Sequence, residues 1–190
     1  MADRNSIITL PNPRLRIKSE RIHVMTPEIR RLIDDMIAAT VDWENSRPHE
    51  LGVALAAIQI NHPLRAIIVR NDFEDKQNQR FTALINPEVI KYEGEPVLDN
   101  EGCLSVHDVY GLVPRYPKIR LRAINQKGQP VKIKAEGFLA RVLQHEIDHT
   151  NGVAFVDRVE GQDGFFKLND QGELEPLPYE QVAASGILRH

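Results

Sequence analysis

From Thr26 onward, apolar and polar residues alternate with a helical period. Ile29, Leu32, Ile33, Met36, Ile37 and Val41 form one stripe, the spacing at which helical side chains share a face. Thr26-Pro27-Glu28 ahead of it supplies an N-cap, a first-turn proline and a first-turn acid, so a helix is expected to start there. The polar run Glu44 to Glu50, with Pro48, reads as a loop. The period then shortens. Arg65 to Arg70 is a compact apolar run, and so is Phe81 to Tyr92, broken at Asn86-Pro87. Lys118 to Arg122 and Val131 to Lys134 alternate polar and apolar, the mark of half-buried strands. Asn125-Gln126-Lys127-Gly128 between those two predicts a hairpin turn. A second helix is predicted over Gly137 to Asn151, stopped by Gly152, with Phe138, Leu139, Val142 and Leu143 as its apolar positions. Phe165 to Leu168 and Glu173 to Leu177 read as a closing hairpin around Asn169-Asp170-Gln171-Gly172. Helices flanking a strand-rich middle, without βαβ alternation, predict an α+β fold of mostly antiparallel sheets around a central helix.

The chain has 190 residues, which suits one domain with residues 159–190 as an extension. With 24 basic and 27 acidic residues the formal net charge is −3. Binding of nucleic acid through bulk charge is therefore not expected, and no specific DNA partner is indicated. No apolar run approaches the ~20 residues of a membrane span, and the N-terminus has no signal-peptide core. A cytoplasmic protein is the expectation. There is one cysteine, Cys103, so neither an intrachain disulfide nor a multi-cysteine zinc site can form.

The candidate chemistry lies on the second predicted helix. His145-Glu146-Ile147-Asp148-His149 places two histidines four residues apart. On a helix they lie one turn apart on the same face and can bind one metal ion, with Glu146 beside a water at that ion. Catalytic sites of this type need a third protein ligand. Glu101-Gly102-Cys103-Leu104-Ser105 offers one upstream, although a lone cysteine is also a common small core residue. Gly52-Val53-Ala54-Leu55-Ala56-Ala57-Ile58-Gln59 is a run of small and apolar residues ending in an amide. Its periodicity favours Gln59 as a strand-end residue facing solvent, with a buried amide as the alternative.

Together these three segments resemble the peptide deformylase family. Flanking matches are Pro13-Arg14-Leu15-Arg16, Val113-Pro114-Arg115, and Asn151-Gly152 followed by Phe155 to Arg158. The resemblance implies Cys103, His145 and His149 as metal ligands and Glu146 as general base and then acid. It implies Gln59 and the backbone N–H of Leu104 as oxyanion donors, and Gly52, Val53, Ala54, Glu101 and Gly102 as substrate contacts. It also implies one divalent metal ion per chain, Fe²⁺ first, with Zn²⁺ or Ni²⁺ as alternatives. The substrates would be N-formylmethionyl peptides emerging from ribosomes, and the products formate and a free amino terminus.

The chain departs from the family pattern at several positions. Ala54 stands where a second glycine is usual, so the groove is narrowed or the backbone is strained if φ there is positive. Ile58 and His107 replace common prolines, and Thr150 replaces a common leucine; His107 is read as a loop residue. Between Val109 and Ala135 lie Arg115, Lys118, Arg120, Arg122, Lys127, Lys132 and Lys134 with no acid among them. These read either as solvent-facing strand residues or as a patch for ribosomal RNA near the exit tunnel. Two other functions remain open: a zincin-type protease whose third ligand is a later acid or His190, and a non-catalytic metal- or formyl-peptide-binding relative spoiled by Ala54.

Overall fold

A computed structural model describes residues 1–47, 50–169 and 171–189. Pro48 of the expected loop, Asp170 of the expected turn and His190 lie outside the described residues. Helix α1 spans Pro27–Asn45, and the Thr26 hydroxyl caps it by accepting from the Ile29 N–H. It runs further than its stripe predicts. Glu44, expected in a loop, is helical and fully buried, because it faces the Arg70 guanidinium across the fold.

Five antiparallel strands form the first sheet, in the order β1 (Ala54–Ala56), β2 (Ala66–Arg70), β3 (Phe81–Glu93), β6 (Lys118–Ile124) and β7 (Pro130–Glu136). The pairs are antiparallel throughout. The break expected at Asn86-Pro87 is a register shift inside one long strand rather than a strand end. Both faces of this sheet are covered along β1 and β2, whereas alternate residues of β6 and β7 stay exposed. Leu55, Ile68 and Ile85 pack with Leu32, Ile33 and Met36 of α1 on one side. Ala54, Ala56, Ile67, Leu84, Ile119 and Leu121 pack on the other side against α2 (Gly137–Thr150), through Ala140, Val142 and Leu143. Burial on both faces explains why β2 reads as a continuous apolar run while β6 alternates.

Phe138 does not join this core. It is 52% exposed, and its ring meets Phe73 edge-on at the rim of a cavity. Gly152 ends α2 with φ +73°. A side chain there would also strike the backbone of Arg16, so only glycine lets the N-terminal segment cross the helix end.

The second sheet has the order β4 (Val97–Cys103), β5 (Val106–Arg115), β8 (Phe165–Leu168) and β9 (Leu174–Pro176). The closing hairpin is therefore an extension of this sheet. A third core lies beneath it, where Val113 and Phe165 meet Phe155, Val156, Ile187 and Val182 of α3 (Tyr179–Ala184). His107, expected in a loop, lies on β5 and is exposed. No helix among the described residues is long and apolar enough to cross a membrane.

Candidate active site

Helix α2 runs between the two sheets, and nearly every residue from Ala140 to Thr150 is buried. Its His145 and His149 point the same way, with their Nε2 atoms 3.2 Å apart. Cys103 ends β4, which brings its Sγ to 3.2 Å from His149 Nε2. The three donor atoms lie within 4.8 Å of one another. One soft sulfur and two imidazoles converging on a point are the donor chemistry of a divalent transition-metal site. Glu146 Oε2 is buried without a protein hydrogen-bond partner, and so is His149 Nδ1, on the side of its ring away from Nε2. The residues present thus fit one bound cation. The acids after His149 proposed for a protease-type ligand are absent from the cluster among the described residues; Asp157 instead pairs with Arg16.

Behind the donors lies a network of buried charge. Glu101, two residues ahead of Cys103 on β4, accepts from His145 Nδ1 at 2.8 Å and from Arg141 Nη1 at 2.8 Å. It also accepts twice from Arg115, at 2.9 and 3.0 Å. Arg115 continues to Asp148, which in turn holds Arg158. Burial alone would raise the Glu101 carboxyl, but the hydrogen bonds and charges of His145 and Arg115 outweigh it and hold the group well below its ordinary range. Burial likewise opposes charge on His145, yet Cys103 and Glu101 keep its pKa well above the usual value. His149 is held well below by burial and by the charge of His145. The hydrogen bond to Glu101 fixes the His145 ring so that Nε2 faces the cluster, as metal-ligating histidines are commonly oriented.

Glu146 is 4% exposed. Burial pushes its pKa up to about 7, with Glu101 adding to the rise while His145 and Arg115 oppose it. Gln59 is 1% exposed, which corrects the solvent-facing expectation from periodicity. Strand β1 stops at Ala56 and the chain turns into a 3-10 segment, Ala57–Ile60, so the side chain swings inward. Its Oε1 accepts from the Ala56 N–H at 2.8 Å, and its Nε2 donates to Ser105 Oγ at 3.1 Å and Cys103 Sγ at 3.5 Å. This bonding turns the NH₂ end toward the donor cluster. Leu104 is in the tight turn between β4 and β5.

All of this opens on a cavity of about 850 Å³. Cys103, Leu104, Gln59, His145 and Glu146 line it, together with Val53, Ala54, Glu101 and Gly102. Gly52 does not; it faces α1, with its N–H bonded to Glu44. Ala54 is not among the described residues with positive φ, so the backbone strain considered for it is absent. Composition and pattern did not single out Asp148 or Arg141, and placed Arg115 in a surface patch. Arg115 is buried, which removes it from that patch. Only the position of Asp148 within the histidine motif hinted at a role.

An antiparallel α+β fold in which a His-Glu-x-x-His helix faces a thiol defines a metal-dependent hydrolase. The sequence profile described as polypeptide deformylase matches residues 4–164. The peptide deformylase of Wolinella succinogenes is 42% identical over 155 residues, 80% of this chain and 86% of the relative. That of Psychrobacter arcticus is 44% identical over 151 residues, 80% of this chain and 77% of the relative. A crystal structure of a peptide deformylase from Synechococcus elongatus in complex with actinonin superposes with a TM-score of 0.74 at 33% identity, covering 82% of this chain and 80% of that one. One from Legionella pneumophila gives 0.71 at 36%, covering 81% and 85%. The chain belongs to the polypeptide deformylase family.

Proposed function

We propose that this enzyme removes the formyl group from N-formylmethionyl peptides, releasing formate, with its residues in the following roles. Cys103, His145 and His149 hold one divalent cation, and Fe²⁺ is the proposed native ion, with Zn²⁺ or Ni²⁺ able to occupy the same donors. When bound, such a cation supplies Lewis acidity, lowering the pKa of a water and polarising a carbonyl oxygen. Glu146 takes the proton from the attacking water and returns it to the leaving amine. A carboxyl with a pKa of about 7 is matched to both transfers at neutral pH. The Gln59 amide and the Leu104 N–H donate to the oxygen that becomes negative as the formyl carbon turns tetrahedral, and such donors contribute about 3 kcal/mol each. Trp43, Leu51, Phe138 and Val142 supply apolar cavity wall for a methionine side chain. The peptide leads away along Val53 and Ala54, on the free side of β1.

The observation that carries this reading is the convergence of Cys103, His145 and His149 beside a buried carboxylate with an unpartnered oxygen. The proposed setting is the cytoplasm near the ribosome exit tunnel, with one domain spanning the whole chain. The cations available for RNA are fewer than the sequence suggested. Lys118, Arg120 and Arg122 pair with Glu136, Glu93 and Glu88, leaving Lys127, Lys132 and Lys134 exposed. The test is formate release from a formyl-Met peptide by Fe²⁺- or Ni²⁺-loaded protein without oxygen. Absence of formate with the metal shown to be bound refutes the reading.

A further inference from the structure

Strand β1 is at the end of its sheet, and the chain just before it continues that edge along the cavity. Leu51 and Val53 line the cavity, and Gly52 between them faces away. A single buried ion pair holds Gly52 by both of its polar groups. The Gly52 N–H donates to Glu44 Oε2 at 2.9 Å, and its carbonyl accepts from Arg70 Nε at 3.1 Å. Arg70 Nη2 donates to the same Glu44 oxygen, and both side chains are fully buried. The guanidinium is braced in turn by the Asn78 carbonyl at 2.9 Å, and the Arg70 N–H donates to the Val53 carbonyl at 2.8 Å. Space behind Gly52 is tight, since a Cβ there would lie 2.7 Å from Thr40 Cγ2.

Stability gives little reason to bury such a pair. Well-packed apolar side chains of similar volume usually serve as well or better, and here Glu44 Oε1 is left without a partner. What the pair does supply is geometry. It ties residues 52 and 53 from the side away from the cavity and leaves the opposite edge free to meet an extended peptide main chain, which recognises an edge by its hydrogen-bond register.

We infer that Glu44 and Arg70 are positioning residues for peptide recognition: by clamping the Gly52 peptide unit they set the edge against which the substrate main chain beyond the formyl-methionine lies. This rests on the deformylase reading above. The formyl group and the first residue reach the Cys103 cluster without the clamp, whereas the following residues depend on it.

The experiment compares kcat/KM for a formyl-methionyl tripeptide with that for N-formylmethioninamide. In Arg70→Lys and Glu44→Gln the ratio of the two falls about tenfold, the worth of roughly one well-placed hydrogen bond. A purely structural role lowers both substrates by the same factor, because both count the same folded molecules, so an unchanged ratio overturns the inference. If these variants do not fold, Gly52→Ala moves the strand by its clash with Thr40, and Thr40→Ser removes the opposing methyl. Loss of the ratio in Gly52→Ala and recovery in the double variant support the clamp. A retained ratio in Gly52→Ala, or a loss without recovery, overturns it. Formate from neither substrate with wild-type, metal-loaded protein refutes the deformylase reading instead.

Discussion

Glu101→Gln keeps the shape of the side chain and removes its charge, at the junction of the histidine-bearing helix α2 and the second sheet. The carboxylate accepts four hydrogen bonds, two from Arg115 and one each from Arg141 and His145. An amide keeps one acceptor oxygen and presents an NH₂ group to a guanidinium. Breaking a buried charge pair from one side costs ~3–5 kcal/mol. The lower end applies, because Arg115 retains Asp148 and Arg141 retains the Val113 and Val97 carbonyls. At about 2–4 °C per kcal/mol for a chain of this size, Tm falls by about 6–12 °C. The same change frees the His145 ring, so metal affinity falls about 10- to 100-fold. Scanning calorimetry and competition with a chelator read the two effects. The pH dependence carries a sign as well. A carboxyl held below its ordinary value of 4.5 stabilises the fold fully above that pH and loses its contribution as pH falls through the lowered value. The stability gap between wild type and variant therefore closes in acid. A Tm within about 2 °C of wild type at neutral pH, or metal affinity within about threefold, refutes the reasoning.

Two further outcomes follow from the site. Glu146→Gln retains the metal but loses formate release by about 10²- to 10⁴-fold, the usual worth of a positioned base; anaerobic formate assays with metal analysis on the same sample check both halves. Cys103→Ala lowers metal content after dialysis, and full retention would show that the thiolate is not a ligand.

The parts of the fold that are local in sequence were legible. The α1 stripe, the β6–β7 hairpin and the paired histidines of α2 each depend on residues a turn or a strand apart, so period and spacing reveal them. Strands β4 and β5 escaped notice because β4 is mostly exposed, Val97–Asn100 throughout, and shows no apolar alternation. Gln59 was misread because the inward swing comes from a 3-10 turn, which a two-residue period does not register. The charge network was illegible for a different reason. Arg115 meets Asp148 33 residues away, and Arg70 meets Glu44 26 residues away. A lone arginine in a strand pattern looks solvated until its distant acid is placed. The cysteine became informative only through its resemblance-based pairing with the histidine motif, and the structure places its sulfur beside them.

The 46-residue separation between Cys103 and His149 also has a kinetic consequence. During synthesis the thiol leaves the ribosome well before the helix that completes its donor set, and until then it is an isolated soft nucleophile. On the proposed assignment a cation is held by the full donor set only after α2 has docked between the sheets, so Cys103 waits for its partners as a lone sulfur donor.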